Sequence, residues 1–316
     1  MSITTTSLLP APVQQSFNEK LLAVPVPYMI HNIAATPVMM PRNGGTTLRQ
    51  RRYDRLPVAN VPLGNSGAPI APTVPTYVDI DAQISFYGQW IGLNEQVTLQ
   101  NQDPVLNEMA KLLGISLRET EDVLTRDLLA STASQINCTG GTNGDNPTEM
   151  TRDDIDLVVA TLVDNNAYTI ASVIEGEDRF GTAPVRDAFF AMASSQLIGD
   201  FEQVNGFIAK AQYPSQMSVL REEWGSISNL RFLVSSIGSV SASSSALGAD
   251  VYNIFCVGME AYQFIEQDGY SAQFIYRPPY FSDALAQNAT VAWKAAMVPL
   301  ISNDLWVINL RTTKAS

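Results

Sequence analysis

The chain has 316 residues, of which 46% are hydrophobic, and its formal net charge is −12. This composition excludes disorder over the whole chain and provides enough apolar material for one elaborate domain or two modest ones. The charge is uneven, because residues 1–102 hold 6 basic and 5 acidic residues (net +1), whereas residues 103–316 hold 13 basic and 26 acidic residues (net −13). The strong negative charge of residues 103–316 argues against a protein that wraps duplex nucleic acid.

The two cysteines, Cys138 and Cys256, have neither the CxxC spacing of a zinc site nor the density of a disulfide framework. They favour a reducing compartment. The N-terminus lacks a positively charged leader followed by a long apolar run, and no stretch reaches the roughly 18 apolar residues of a membrane span. The sequence therefore predicts a soluble protein that is neither exported nor bound to a membrane.

Residues 1–41 form a segment rich in Thr, Pro and Ala, whose six prolines exclude a long helix or a central strand. We expect an extended arm with a short helix over residues 17–24. Its apolar side chains need a surface to lie on, and we predict that Tyr28 and Met39 contact a neighbouring subunit.

Between Gly44 and Leu93, two extended runs flank a tip with four prolines and two glycines. The runs TTLRQRRYDRLPV (46–58) and YVDIDAQISFYGQWIGL (77–93) predict two long antiparallel strands. Ordering about 90 residues of arm and hairpin costs on the order of 100 kcal/mol in backbone entropy. An isolated two-stranded ribbon is marginal in water, so neighbouring subunits are the expected source of the apolar burial that offsets this cost.

Five arginines lie within residues 42–55, where Asp54 is the only acid. Such a patch suits either nucleic acid or the carboxylates of a neighbouring subunit, and the acidic remainder of the chain favours the second. The residues that we predict to make intersubunit contacts through their guanidinium groups are Arg49, Arg51, Arg52 and Arg55.

Residues 103–135 predict one long helix, the spine helix. Asp103 is a suitable N-cap, and Pro104 suits the first helical position. At about 1.5 Å per residue the helix would be roughly 45 Å long. Apolar side chains recur at three- and four-residue steps, with Thr120 filling a gap, and charged side chains occupy the other faces. The apolar set is Leu106, Met109, Leu113, Leu117, Leu124 and Leu128, and the charged set is Glu108, Lys111, Arg118, Asp122 and Arg126.

After a loop rich in Gly, Asn and Pro, residues 148–163 predict a second helix with Thr151 as its cap. A strand with a short helix follows near residues 184–198, and six further apolar runs predict later strands, so the fold class is α+β. The Ser/Ala/Gly-rich stretch 236–250 between two of these strands is expected to be a surface loop.

The sequence predicts no catalytic, cofactor-binding or metal site. His31 is the only histidine, and it lies in the arm with no carboxylate pair beside it in the sequence, so a Ser-His-Asp or Cys-His mechanism lacks a positioned base. No GxxxxGK[ST], GxGxxG, GxSxG or HExxH motif occurs. Asp79 with Asp81, or the acids at 153–156, could ligate a metal, but a structural role is favoured for both sets. The chain is not expected to be an enzyme.

The order of arm, long hairpin, long helix and α+β body resembles the major capsid proteins of tailed bacteriophages with the Hong Kong 97-like fold. Three stretches resemble the capsid proteins of N-four-like short-tailed phages and their prophage relatives. They are RQRRYDRLP (49–57), FYGQWIGLNEQVTLQNQDPVLNEMAKLLGISLRETEDVLTRDLL (86–129) and EEWGSISNLRFLVSS (222–236).

The resemblance implies a division of the chain into an N-terminal arm, an extended β-hairpin loop, a peripheral domain that contains the spine helix, an axial domain and returning strands. The corresponding ranges are 1–41, 42–93, 94–149, 150–280 and 281–316.

The resemblance also implies a function. The chain would be a major capsid protein that self-assembles through hexamers and pentamers into an icosahedral head, which encloses double-stranded DNA without sequence-specific binding. Its expected location is the virion, after assembly in the bacterial cytoplasm. Its expected partners are itself, a portal protein and a separate scaffolding protein, with a decoration protein left open, and no cofactor is expected. The alternative is an oligomeric nucleic-acid-binding protein that uses residues 42–55.

Two details of assembly follow from comparison with other members of this fold. Some begin with a long helical segment that directs assembly and is then removed, whereas about 41 residues precede the loop here, so we expect no maturation cleavage. The founding member joins a loop lysine to a neighbour through an isopeptide bond. None of the five lysines here lies between residues 42 and 93, so we expect a noncovalent shell. The lysines are Lys20, Lys111, Lys210, Lys294 and Lys314.

Overall fold

The computed structural model describes residues 24–60, 72–94, 105–132, 134–170, 188–213, 219–279 and 287–315. Four predicted features lie partly or wholly outside these ranges. They are residues 1–23 of the arm, with most of its short helix, the helix start at Asp103 and Pro104, residues 61–71 of the hairpin tip, and residues 184–187 of the predicted strand near 184–198.

The described residues form two mixed sheets, a two-stranded ribbon and three α-helices. The helices are α1 (Val105–Ala130), α2 (Arg152–Asp164) and α3 (Ile198–Gln203), with 3₁₀ turns at Ser195–Leu197, Lys210–Gln212 and Asp304–Trp306. The strands of the first half are β1 (Thr36–Met40), β2 (Thr47–Tyr53), β3 (Tyr77–Gln83), β4 (Ser85–Asn94), β5 (Gln135–Asn137), β6 (Phe189–Ser194) and β7 (Ile208–Ala209). Those of the second half are β8 (Glu223–Ile227), β9 (Leu230–Ser235), β10 (Val240–Ser241), β11 (Val251–Val257), β12 (Tyr262–Gln267), β13 (Gln273–Arg277), β14 (Asn288–Ile301) and β15 (Val307–Thr313).

The larger sheet has eight strands in the order β5-β15-β11-β6-β9-β8-β7, and β10 also pairs with β11. Its central strands β6 and β11 are buried at every position. They read as continuous apolar runs because both faces of the sheet are covered. Phe189 points to the face where Ile155 of α2 and Phe201 of α3 pack. Phe190 points to the opposite face, where Leu129 of α1 and Ile30 of the arm pack.

The smaller sheet is built around β14, which is 14 residues long. One side of β14 pairs with β4, the other side pairs with β12 and β13, and β1 adds to β12 in parallel. Helix α1 lies on one face of this sheet, where its Leu113 and Leu117 pack against Leu93, Val291 and Trp293. This packing fixes the long helix to the sheet.

The predicted hairpin is shorter than expected. Strand β3 pairs with β2 as a separate ribbon, whereas β4, the second half of the predicted returning strand, pairs with residues 288–297 of β14. The physical reason is burial, because Tyr87, Ile91 and Leu93 of β4 pack in the core under α1. The ribbon is therefore β2 and β3 alone, and the name is used below in that sense.

The spine helix also departs from its prediction. It ends at Ala130 instead of Gln135, because Gln135–Asn137 form β5, which pairs in parallel with β15. Asp122 was assigned to an exposed face, but it is fully buried. The buried face also differs from the predicted apolar face, since Leu129 is fully buried while Leu106 is exposed.

The cap of the second helix is confirmed, since Thr151 immediately precedes α2 and its backbone N–H donates to Asp154 Oδ2 at 3.0 Å.

The arm is anchored at His31, which is fully buried. Its backbone N–H and its Nδ1 lie 2.7 Å from the two carboxylate oxygens of Asp122, and the Tyr262 hydroxyl donates to its backbone carbonyl at 2.5 Å. Burial, with the Asp122 carboxylate as a second cause, raises the pKa of Tyr262. His31 is therefore a packing and hydrogen-bonding residue. Beyond it, β1 is an edge strand, which agrees with the exclusion of a central strand by the prolines.

Candidate interaction surface

The outer face of the ribbon carries a ladder of paired side chains. Antiparallel register places Arg49 opposite Asp81 and Arg51 opposite Asp79. Both pairs are bidentate, with Nε to Oδ1 at 2.7 Å and Nη2 to Oδ2 at 2.8 and 3.0 Å respectively. The hydrogen bonds from the arginines hold the pKa values of Asp81 and Asp79 below their ordinary value.

The distal end of the ribbon is aromatic. Tyr53 lies opposite Tyr77, with their rings edge to face at 6.1 Å, and the Arg51 guanidinium lies 3.9 Å above the Tyr77 ring. Cross-strand aromatic and cation–π contacts of this kind stiffen an isolated ribbon.

The remaining arginines of residues 42–55 differ in their surroundings. Arg52 points to the inner face and donates through Nη1 to the Ser302 backbone carbonyl at 3.1 Å. Arg42 lies 3.5 Å from the Asp268 carboxylate, and Arg55 is exposed just after β2. Folding within one chain therefore supplies carboxylates to three of the five arginines, including two of the predicted intersubunit contacts. Contacts of Arg49, Arg51, Arg52 and Arg55 with a second copy remain predictions.

The base of the ribbon lies on the smaller sheet, on the face opposite α1. Leu48 and Ala82 pack there against Met40, Ile265 and Val298. Beyond the base, a cleft of about 950 Å³ separates the ribbon from the body of the chain. The distal half of the ribbon thus stands away from the surface beneath it.

The tip of the ribbon is an exposed apolar surface. Its side chains lie at the distal ends of β2 and β3 and in the residues that follow or precede them, and they are 42–80% exposed. The members are Tyr53, Leu56, Val58, Val74, Tyr77 and Val78. Contiguous exposed apolar side chains on a soluble chain indicate an interaction surface.

A second exposed apolar surface, the open half-face, lies on the smaller sheet beside the ribbon base. Alternation along β4 turns Phe86 and Trp90 away from α1, and they are 67% and 69% exposed. Between them, a Cβ on Gly88 would come within 2.8 Å of the Trp293 carbonyl oxygen, so this close approach of β4 to β14 requires glycine. The Tyr270 ring meets Phe86 edge to face at 6.1 Å and completes the patch.

The arm contributes the two other predicted contact residues. Met39 is 66% exposed while Met40 is buried, because they alternate along β1. Tyr28 is exposed beneath the Arg221 guanidinium, which lies 5.3 Å from its ring. Both side chains are therefore accessible on the surface of the subunit, and their role in contacts between subunits remains a prediction.

Within the described ranges, no cluster of three or more His, Cys, Asp or Glu side chains is arranged to hold a metal ion. Both cysteines are fully buried, and desolvation raises the pKa of Cys256 to about 12. None of the described helices combines the length and apolar character needed to cross a membrane.

Comparison with known proteins gives one kind of match. No family model matches the sequence, and no curated protein matches it. Solved structures do match: the head structure of Helicobacter pylori bacteriophage KHP40 aligns with a TM-score of 0.68 at 10% identity, over 100% of this chain and 98% of that chain. The chain has the fold of a phage capsid protein.

Two further phage structures agree over nearly the full length. The capsid of Ralstonia phage GP4 aligns with a TM-score of 0.68 at 12% identity, covering 100% of this chain and 99% of that one. The capsid structure of Cyanophage P-SCSP1u aligns with a TM-score of 0.66 at 10% identity, covering 96% and 94%. The predicted α+β class is confirmed, and the Hong Kong 97-like fold is consistent with these matches. The resemblance to N-four-like phages and the division into arm, loop, peripheral and axial domains remain predictions.

The arginines of the ribbon were predicted from the sequence as contact residues. Their pairing with Asp79 and Asp81 and the open half-face were not predicted. The sequence signal for the half-face was present as aromatic residues at 86 and 90 alternating with glycines at 88 and 92. It was assigned to the hairpin, because alternation alone does not say which sheet a strand joins.

Proposed function

We propose that the chain is a structural, non-enzymatic subunit of a phage head shell that assembles with copies of itself. The observation that carries this proposal is the pair of exposed apolar surfaces, the ribbon tip and the open half-face. A chain of this size with a well-formed core has no need to leave both exposed for its own stability. The shared fold with phage capsid and head structures supports the same conclusion.

The two surfaces also suggest how the copies associate. They differ in shape and lie on different parts of the chain, so a contact between the tip of one copy and the half-face of another is heterologous. Heterologous contacts repeat head to tail and close into rings when the rotation between copies permits. This geometry supports rings of subunits as the units of the shell, and the resemblance to phage capsid proteins supports pentamers and hexamers in particular.

The finer assignment extends the same proposal. The shell would enclose double-stranded DNA without sequence-specific binding and be assembled in the bacterial cytoplasm with a portal protein and a separate scaffolding protein. Whether a decoration protein binds is left open. The nucleic-acid-binding alternative is disfavoured by the ribbon itself. Arg42, Arg49 and Arg51 already have carboxylate partners, and a chain of net charge −12 repels a polyanion.

Negative-stain microscopy of the purified full-length chain tests the proposal. We expect rings, tubes or closed particles, because heterologous apolar contacts propagate from copy to copy. Sedimentation at several concentrations serves as the control, since association shifts with mass action. A monodisperse monomer at all concentrations, with a ribbon that resists proteolysis, would refute the proposal.

Particles boiled in detergent are expected to release single chains of 34.4 kDa. An isopeptide bond needs a lysine amine, and the ribbon and its flanks between residues 42 and 93 contain arginine but no lysine. Arginine cannot replace it, because its guanidinium stays protonated. Denaturing electrophoresis provides the measurement, and a ladder of covalent multimers would contradict the expectation.

A further inference from the structure

The three arginines of β2 serve the two faces of the ribbon differently. Arg49 and Arg51 are paired on the outer face, whereas Arg52 is half-buried on the inner face and spans toward the body. Its Nη1 lies 3.1 Å from the Ser302 carbonyl oxygen. That acceptor is itself held in place, because the backbone N–H groups of Ser302 and Asn303 both donate to the Ala261 carbonyl, at 3.0 and 3.1 Å.

The rest of the ribbon's attachment is at its base. Leu48 and Ala82 pack on the smaller sheet, and the Ile84 N–H donates to the Thr46 carbonyl at 3.0 Å, which closes the base. The chain enters the ribbon through a turn in which Asn43 and Gly45 have φ values of +63° and +88°. A turn of this kind can absorb a change of backbone angle.

The ribbon is therefore a lever whose distal half overhangs the cleft of about 950 Å³. The far wall of that cleft includes Asn165, Tyr168 and Trp306. A ribbon held only at its base could move into the cleft or away from it. The charge-assisted hydrogen bond of Arg52, near the distal end of the ribbon, selects one angle.

We propose that Arg52 is a strut that sets the angle between the ribbon and the body of the subunit. Arginine suits this task because its long stem crosses the cleft and its planar group presents several donors in a fixed geometry. The inference stands on the geometry of a single chain. Only its consequence, that a fixed angle limits where a second copy can bind and so sets shell curvature, rests on the proposed function.

Spin-label distance measurement tests the strut directly. Labels are placed at Thr76→Cys, beside the distal end of β3, and at Val163→Cys on α2, both exposed positions outside the two apolar surfaces, while the native Cys138 and Cys256 are buried and stay unlabelled. Labelled chain is diluted with unlabelled chain, so that the distance within one copy is read whether the protein is free or assembled. The test variant is Arg52→Met, which keeps the apolar stem and removes the donors.

Arg55→Met is the matched control, because it removes the same charge from an exposed position three residues further along. We expect one narrow distance distribution in the unsubstituted chain and in Arg55→Met, and a broad or displaced one in Arg52→Met. A narrow, unshifted distribution in Arg52→Met overturns the proposal, as does a broad distribution without any substitution at Arg52.

If Arg52→Met does not fold, Arg52→Lys replaces it and is judged by the same criterion. The lysine side chain is shorter and has a single amine, so it does not reproduce the geometry of the guanidinium contact. A chain that keeps the strut but never assembles would refute the proposed function and leave this inference intact.

Discussion

Trp90→Glu is expected to abolish particle formation while leaving the subunit folded. Trp90 lies on the open half-face and is 69% exposed in the single chain, so the substitution removes little contact within the subunit. Covering the exposed part of an aromatic side chain of about 150–250 Å² at about 25 cal/mol per Å² stabilises a contact by on the order of 3 kcal/mol. Its loss weakens each contact by about 100-fold, before the cost of burying the new carboxylate.

The conservative variant Trp90→Phe is the control for this prediction. It keeps an aromatic side chain on the half-face and should retain assembly at a somewhat higher protein concentration. Sedimentation gives the assembled fraction, and circular dichroism reports whether each variant is folded. Normal particles from a folded Trp90→Glu chain would show that the open half-face is not an assembly contact.

Arg231→Ala is expected to lower the free energy of unfolding by about 3–5 kcal/mol, because it leaves a buried carboxylate without its cation. Glu223 on β8 lies opposite Leu233 and reaches diagonally to Arg231 on β9, and the side chains of Glu223 and Arg231 are 0% and 5% exposed. Two hydrogen bonds join them, at 2.9 Å and 2.5 Å, and the Tyr213 hydroxyl donates to the same carboxylate at 2.9 Å. Burial raises the pKa of Tyr213, which keeps this donor protonated.

Denaturant unfolding of Arg231→Met, of Glu223→Gln and of the double variant that carries both of these changes measures the coupling between the two side chains. The double variant should recover much of the loss, since replacing both charges leaves no unpaired charge in the core. Losses that simply add in the double variant would contradict the view that the two side chains act as a pair.

The parts of the fold that sequence could predict are those set by local periodicity. Helix α1 repeats its apolar residues over seven turns, and the strands of the body are short apolar runs between turns, so both were identified. The end of α1 and the burial of Asp122 were not, because the partner that buries Asp122 is His31, 91 residues away. A contact of that kind leaves no trace in the spacing of residues along the helix.

The candidate surface shows the same limit. The sequence places Arg49 and Arg51 on one strand and Asp79 and Asp81 on another, but their pairing depends on the register, which the tip of the hairpin determines. The open half-face depends on β4 leaving the ribbon for β14. The alternating residues of β4 are compatible with pairing to β2 or to β14. The burial of Leu93 beneath α1 favours β14.

A cryo-EM reconstruction of the assembled protein tests the central claim most directly, because it shows which surfaces meet. We predict that the ribbon of each copy lies across its neighbour, with the tip residues Tyr53 and Tyr77 over Phe86 and Trp90 of the next subunit around a ring. A reconstruction in which the tip of each ribbon contacts no neighbouring subunit and the half-face of Phe86 and Trp90 stays open to solvent would contradict the account.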